Sequence, residues 1–333
     1  MKRAAVLGAG AWGTALAKIL SDKGERVVLY SRRPELPGEV EQKHENARYL
    51  PGIRLADELQ VTDDLERAIA GADLVVLAVP SHAVRGVLGD IARDLPKDAP
   101  IVSATKGIEN DTLMLMGEVV VDVLGRAADE RFAVLSGPSF AKEVALGLPT
   151  AIVVASSSSE VARDVQQRFA GERLRVYTSD DPIGVELGGA LKNVIAIAAG
   201  ACEGLGYGHN SRAALITRGL AEIVRLSMAR GGNALTLAGL AGLGDLVLTC
   251  TGELSRNRTV GFELGKGRTL PDVLAGLGHV AEGVRTTKSA YDLGRKFGVD
   301  MPITTEVYRV LYEGKSPKQA VSDLLARANR PEF

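Results

Sequence analysis

The stretch AAVLGAGAWG, from Ala4 to Gly13, decides how the chain is read. Its first four residues form a continuous apolar run, as a strand buried on both faces requires. Gly8-Ala9-Gly10-Ala11-Trp12-Gly13 then turns the chain into a helix-like segment, Trp12–Lys23, which Gly24 closes. A GxGxxG placed between strand and helix has a specific physical task. Gly8 permits the tight turn, Gly10 lets main-chain amides approach a pyrophosphate, and Gly13 lets the helix pack on the strand. The helix N-terminus adds partial positive charge for the phosphates. Gly8, Gly10 and Gly13 are therefore candidate coenzyme-binding residues.

The same rhythm continues outward. Ala4–Leu7, Val27–Tyr30, Leu74–Val79, Ile101–Ala104, Ala133–Leu135, Ala151–Ala155 and Leu174–Tyr177 read as strands, several of them wholly apolar as in a parallel sheet. Leu65–Ala70, Ala83–Leu95 and Val161–Phe169, the last opened by a serine run, read as intervening helices. This alternation predicts a doubly wound α/β domain. The second strand ends in Tyr30-Ser31-Arg32-Arg33, with no acid from Val27 to Arg33 to hold a ribose 2′-hydroxyl. Two arginines there read equally as a solvated loop; with the carboxylate missing, they favour acceptance of NADPH alongside NADH.

After Ser179-Asp180-Asp181-Pro182 the β-branched runs give way to long Ala/Leu/Gly-rich helical segments. The expected division is a dinucleotide-binding domain over 1–180 and a helical substrate-binding and catalytic domain over 181–333. A chain of 333 residues, 46% apolar, supports two cores, and a net charge of −1 argues against nucleic acid or an anionic membrane as main partner. Cys202 and Cys250 form no CxxC pair, and His44, His82, His209 and His279 have no metal-ligand spacing, so no metal is expected. The N-terminus lacks a signal-peptide core, and the reading is cytoplasmic. Val185–Cys202 is apolar enough to test as a membrane span, but it contains Glu186, Lys192 and Asn193 and reads as a buried helix.

Lys192, beside Asn193 in that apolar helix, is the most informative residue of the second half. Burial penalises its ammonium form and suits it to proton exchange, whereas a lysine whose head snorkels to solvent is the commoner arrangement. The adjacent Gly188 and Gly189 are expected to leave room for a ligand. Lys106 follows a strand, where ligands of open α/β sheets bind, or is a surface loop lysine, and Ser136-Gly137-Pro138-Ser139 offers amides and a hydroxyl at the same edge or forms a plain turn. Asp245 and Thr249, four apart, would share a helix face, with the acid orienting Lys192, accepting from a substrate hydroxyl, or capping a helix. Ser255-Arg256-Asn257-Arg258 is either a phosphate-binding donor set or a solvated basic turn. With no GxSxG elbow, the chemistry left is hydride transfer with lysine as acid and base.

Through GAGAWGTALA at Gly8, NARYLPGI at Asn46, SATKGIE at Ser103, LSGPSFAKEVA at Leu135, ELGGALKNVIAIAAG at Glu186, GLAGLGDLVLTC at Gly239, SRNR at Ser255 and VAEGV at Val280, the chain resembles bacterial-type NAD(P)-dependent glycerol-3-phosphate dehydrogenases. The resemblance implies a Rossmann domain followed by an all-helical domain like that of 6-phosphogluconate dehydrogenase. It also implies a homodimer that interconverts dihydroxyacetone phosphate and sn-glycerol 3-phosphate for phospholipid synthesis. It gives Lys192 as proton carrier and Lys106, Gly137, Ser139, Asn193, Asp245, Thr249, Ser255, Arg256 and Asn257 as substrate contacts. Ala11, Trp12, Arg32, Arg33, Tyr49, Lys106, Ala141, Arg256, Val280 and Glu282 become contacts to NADP or NAD. Ala11 departs from the family's usual serine and removes a hydroxyl donor. A β-hydroxyacid dehydrogenase and a non-enzymatic NADPH-sensing regulator are the alternative readings.

Overall fold

Eight strands form one sheet: β1 (Arg3–Leu7), β2 (Arg26–Tyr30), β3 (Gln60–Thr62), β4 (Leu74–Leu77), β5 (Ile101–Ser103), β6 (Phe132–Ser136), β7 (Thr150–Ala155) and β8 (Leu174–Ser179). The computed structural model describes residues 2–277, 281–329 and 331–332. Spatial order is β3-β2-β1-β4-β5-β6-β7-β8, and every pair from β3 to β6 is parallel. The first six strands thus have the 3-2-1-4-5-6 order of dinucleotide-binding sheets, whose direction of winding reverses between β1 and β4. Ligands of such sheets bind outside the carboxyl ends of the strands at that reversal.

The helices of this unit are α1 (Ala11–Asp22), α2 (Leu36–Lys43), α3 (Leu65–Ile69), α4 (Ser81–Ile91), α5 (Met116–Leu124), α6 (Ala141–Ala145) and α7 (Ser159–Phe169). Val6, Leu16, Leu29, Val76, Leu135 and Phe169 belong to the buried core. As the serine run implies, Ser158 Oγ caps α7 by accepting from the Val161 amide. Arg168 of α7 is buried, with its guanidinium 2.6 Å from Glu25 and 2.7 Å from Asp73.

The sheet departs from the expected pattern at its far end. β7 runs antiparallel to β6, and β8 is parallel to β7, so the last two strands are reversed. Continuous apolarity reports burial on both faces and says nothing of direction. β3 escapes the sequence reading because three residues are too few to show a period.

The second unit has no strand among its described residues. Its helices are α8 (Pro182–Gly204), α9 (His209–Ala229), α10 (Ala234–Ala238), α11 (Asp245–Thr251), α12 (Arg256–Gly265), α13 (Leu270–Leu277), α14 (Glu282–Lys296), α15 (Pro302–Tyr312) and α16 (Pro317–Leu325). A π-helical turn, Leu240–Gly244, leads into α11. Among the described residues α8 alone is long and apolar enough to cross a membrane by length and composition, and 89% of its most apolar window is buried inside the protein.

The units comprise Met1–Glu109 with Met114–Glu186, and Asn110–Leu113 with Leu187–Phe333. The break therefore lies six residues beyond the expected 180/181 boundary. Helix α8 does begin at Pro182, where Asp181 Oδ1 accepts from the Gly184 amide at 2.8 Å. Its first turn stays with the sheet unit because Glu186 Oε1 accepts from the Gly117 amide of α5 at 2.9 Å.

Candidate active site

The glycine turn occupies the reversal point of the sheet. Gly8 takes φ +122°, and a Cβ there would lie 2.7 Å from the Ala78 carbonyl group, just past β4. At Gly13 a Cβ would fall 1.9 Å from the Gly8 carbonyl oxygen, so only glycine lets α1 sit this close to its own turn. Gly10 is different. A Cβ there meets nothing within 4 Å, so this face of the turn is open. Gly10 is also the N-cap of α1, and no side chain caps the helix. Open main chain at an uncapped helix N-terminus fits a pyrophosphate.

Ala11 opens α1, and its missing hydroxyl leaves the main-chain amide in place. Ala11, Trp12 and Ala141 pack against a small core of Ala15, Leu50, Ile53 and Ala145. Trp12 thus has a packing role, although its Nε1 is buried without a hydrogen-bond partner. Beyond β2, Arg32 is exposed, whereas Arg33 lies 2.8 Å from Glu35 and 3.4 Å from Glu39. Arg32 thus fits the solvated loop, whereas Arg33 is held by carboxylates, which raise its already high pKa. Tyr49 is half-buried, with the Arg48 guanidinium 5.5 Å from its ring centre.

Three residues that the sequence places at the strand edge do meet. Lys106 Nζ and Ser139 Oγ donate to the same acceptor, the Gly137 carbonyl, at 3.3 and 3.0 Å. Gly137 takes φ +130°, and a Cβ would press within 3.0 Å of Ile152 Cα. Lys106 and this segment thus meet at one main-chain carbonyl.

In the helical unit Lys192 does not snorkel to solvent. It is 7% exposed, and its Nζ donates to Asp245 Oδ1 at 2.5 Å and to Thr249 Oγ1 at 2.9 Å. Thr249 in turn donates to the Asp245 main-chain carbonyl at 2.6 Å, so the two residues share a face of α11. Asp245 does not serve as an N-cap; Gly244 holds that position. A buried ammonium without a partner would lose several kcal/mol of hydration, and the carboxylate offsets that loss. Cys250, next along α11, has its thiol pushed up to about 12 by burial, and no thiolate enters the cluster.

Gly188 does not open a path for a ligand as expected. A Cβ there would lie 2.5 Å from the Ala241 carbonyl oxygen, so this glycine lets α8 meet the π-helical turn. Further along, Asn257 Oδ1 accepts from the Gly283 amide at 3.0 Å, and a Cβ on Gly283 would lie 2.8 Å from the Asn193 carbonyl. Asn193, Asn257 and the start of α14, where half-buried Glu282 sits, therefore converge. Ser255 is the N-cap of α12 and accepts from the Arg258 amide at 3.3 Å. Arg256 is exposed, while Arg258 pairs with Glu203 at 2.6 Å, so the basic run splits into one outward and one structural arginine. Val280 lies outside the described residues. No group of three or more His, Cys, Asp or Glu is placed to hold a metal among the described residues.

Sequence reasoning missed Asn46, whose buried amide reaches the glycine turn, and Arg85, which pairs with Glu109 three residues past Lys106 at 2.9 Å. An asparagine in a loop and an arginine on a helix carry no local signal of such long-range bonds.

Comparison with known proteins joins the two units. The family description "NAD-dependent glycerol-3-phosphate dehydrogenase N-terminus" matches residues 3–162, and the corresponding "C-terminus" matches residues 181–322. Glycerol-3-phosphate dehydrogenase (NAD(P)+) of Anaeromyxobacter sp. (strain K) is 54% identical over 331 residues, 99% of this chain and 100% of its own. The crystal structure of glycerol-3-phosphate dehydrogenase from Coxiella burnetii superposes with a TM-score of 0.93 at 43% identity, covering 98% of this chain and 99% of that one. The Saccharomyces cerevisiae enzyme gives 0.84 at 26% identity, with 98% and 99% covered. With both halves matched in order and relatives aligned end to end, the chain belongs to the NAD-dependent glycerol-3-phosphate dehydrogenase family.

Proposed function

We propose that this chain reduces dihydroxyacetone phosphate to sn-glycerol 3-phosphate with NADPH or NADH, reversibly, and that Lys192 is its proton carrier. The observation that carries the proposal is the buried Lys192–Asp245–Thr249 cluster. Reducing a ketone requires a hydride at carbon and a proton at oxygen. The nicotinamide coenzyme supplies the hydride. Lys192 Nζ gives the proton to the carbonyl oxygen and takes it back in the reverse direction. Asp245 and Thr249 fix Nζ beforehand, so little orientation remains to be gained in the transition state.

The phosphate is held by Arg256 and Asn257 at the first turn of α12, where the helix dipole favours an anion. Lys106, Gly137, Ser139, Asn193 and Ser255 complete the substrate set. The coenzyme is bound by Gly8, Gly10, Ala11, Trp12 and Gly13, with Arg32, Arg33 and Tyr49 toward its adenosine end and Lys106, Ala141, Arg256, Val280 and Glu282 as further contacts. In this reading 1–180 is the coenzyme domain and 181–333 the substrate domain. The enzyme works in the cytoplasm as a homodimer and supplies glycerophospholipid synthesis.

Loss of reduced-nicotinamide absorbance, followed with each coenzyme, tests the proposal. Dihydroxyacetone phosphate should be reduced and unphosphorylated dihydroxyacetone far more slowly. Equal rates with both ketones would remove the phosphate-binding role, and no turnover with either would remove the activity.

A further inference from the structure

The loop after α2 contains a fully buried asparagine. Asn46 Nδ2 donates to the Ala9 main-chain carbonyl at 2.9 Å and to Thr14 Oγ1 at 2.8 Å. Ala9 lies between the first two glycines of the turn, and Thr14 lies in α1 one residue beyond the third. The same residue organises its own loop: its carbonyl accepts from the amides of Tyr49 and Leu50 at 3.2 and 2.8 Å. One side chain therefore joins the glycine turn, the coenzyme-facing helix and the loop that presents Tyr49.

Both bonds use the amide nitrogen, and the amide oxygen takes part in neither. Asn46 Oδ1 is buried with no hydrogen-bond partner, which costs free energy that an apolar side chain would not. Sequences break the rule of full polar satisfaction where function demands it. The demand at this position is specific. A GxGxxG turn binds phosphate only while its amides point toward the anion and its carbonyls point away. Gly10 leaves the turn without a side chain to brace it, and the bond from Asn46 ties back the carbonyl that precedes it.

We infer that Asn46 is a positioning residue for the coenzyme, acting through the Ala9 carbonyl to hold the glycine turn in its phosphate-binding form. This rests on the coenzyme site proposed above.

The test uses the full chain, with NADPH affinity read from quenching of its single tryptophan, melting temperature read without coenzyme, and kcat read at saturating NADPH. Asn46→Ala should raise the Kd for NADPH about tenfold or more and leave kcat within about twofold. Thr14→Val breaks the bond to Thr14 and spares the bond to Ala9, so it should lower the melting temperature without changing the Kd beyond about twofold. Asn46→Asp, the same shape without the donor, should raise the Kd at least as far as the alanine variant, and it stands in if that variant does not fold. Wild-type Kd in either Asn46 variant would overturn the inference, as would an equal loss of affinity in Thr14→Val. A wild-type chain that binds neither NADPH nor NADH would overturn the coenzyme site itself.

Discussion

Lys192 is buried, as the apolar run around it implies, whereas its bond to Asp245 is only one of three readings that the sequence offers for that acid. An amine inside an otherwise apolar helix is legible in the sequence because burial of a charge requires a reason. Asp245 is 53 residues away, and its bond to Lys192 depends on how α8 and α11 pack, which no spacing rule contains. Lys192→Ala should lower kcat about 100-fold or more while leaving coenzyme affinity nearly intact, because the lost step is proton transfer. The substitution also strands a buried carboxylate, at a cost to stability of about 3–5 kcal/mol. Turnover must therefore be normalised to the folded fraction measured by circular dichroism. Wild-type turnover in the folded variant would exclude Lys192 as the proton carrier.

At the scale of elements, α8 and α12 touch main chain to main chain. A Cβ on Gly200 or Gly204 would lie 1.9 or 2.2 Å from carbonyl oxygens of Arg258 or Phe262, and one on Gly261 or Gly265 would lie 1.8 or 2.4 Å from those of Ile197 or Ala201. The glycines fall four apart on each helix, so they line one face. Gly261→Val must force the helices apart and should destabilise the chain by about 1–3 kcal/mol or more, measured by urea unfolding. Gly38→Ala in α2, where an added methyl meets nothing within 4 Å, is the control and should be neutral or stabilising. Equal stability of the two variants would contradict the close contact. Gly188 reads in the sequence as room for a ligand, but a neighbouring carbonyl takes that space. Sequence shows that a side chain is missing and not what fills the space.

Across the whole molecule, apolar strands, the glycine turn and the change of composition near residue 180 reveal a sheet unit followed by a helical one. The reversed β7 and β8 and the excursion of Asn110–Leu113 into the second unit leave no compositional trace, because strand direction and chain crossing are set by long-range packing. Stability also has a buried titrating group. Glu222 of α9 accepts from the Ile303 and Thr304 amides and the Thr304 hydroxyl at the start of α15, and burial pushes its carboxyl up to about 7. A carboxyl raised in the fold binds its proton more tightly there than in the unfolded chain. Its contribution is therefore greatest below the ordinary value of 4.5 and is lost as pH rises through about 7, a change on the order of 3 kcal/mol. The stability of wild type relative to Glu222→Gln should fall as pH increases from about 5 to about 7, read by urea unfolding at each pH. A difference that stays flat over that range would show that Glu222 does not titrate there.

The meeting of α8 and α12 also acts as a ruler. One helix carries the proposed proton donor and the other opens with the proposed anion grip, so the two backbones that bear them are held at a spacing with nothing compressible in between. A relative that handles a longer ketone would keep that backbone spacing and have to adjust through the side chains that reach from it.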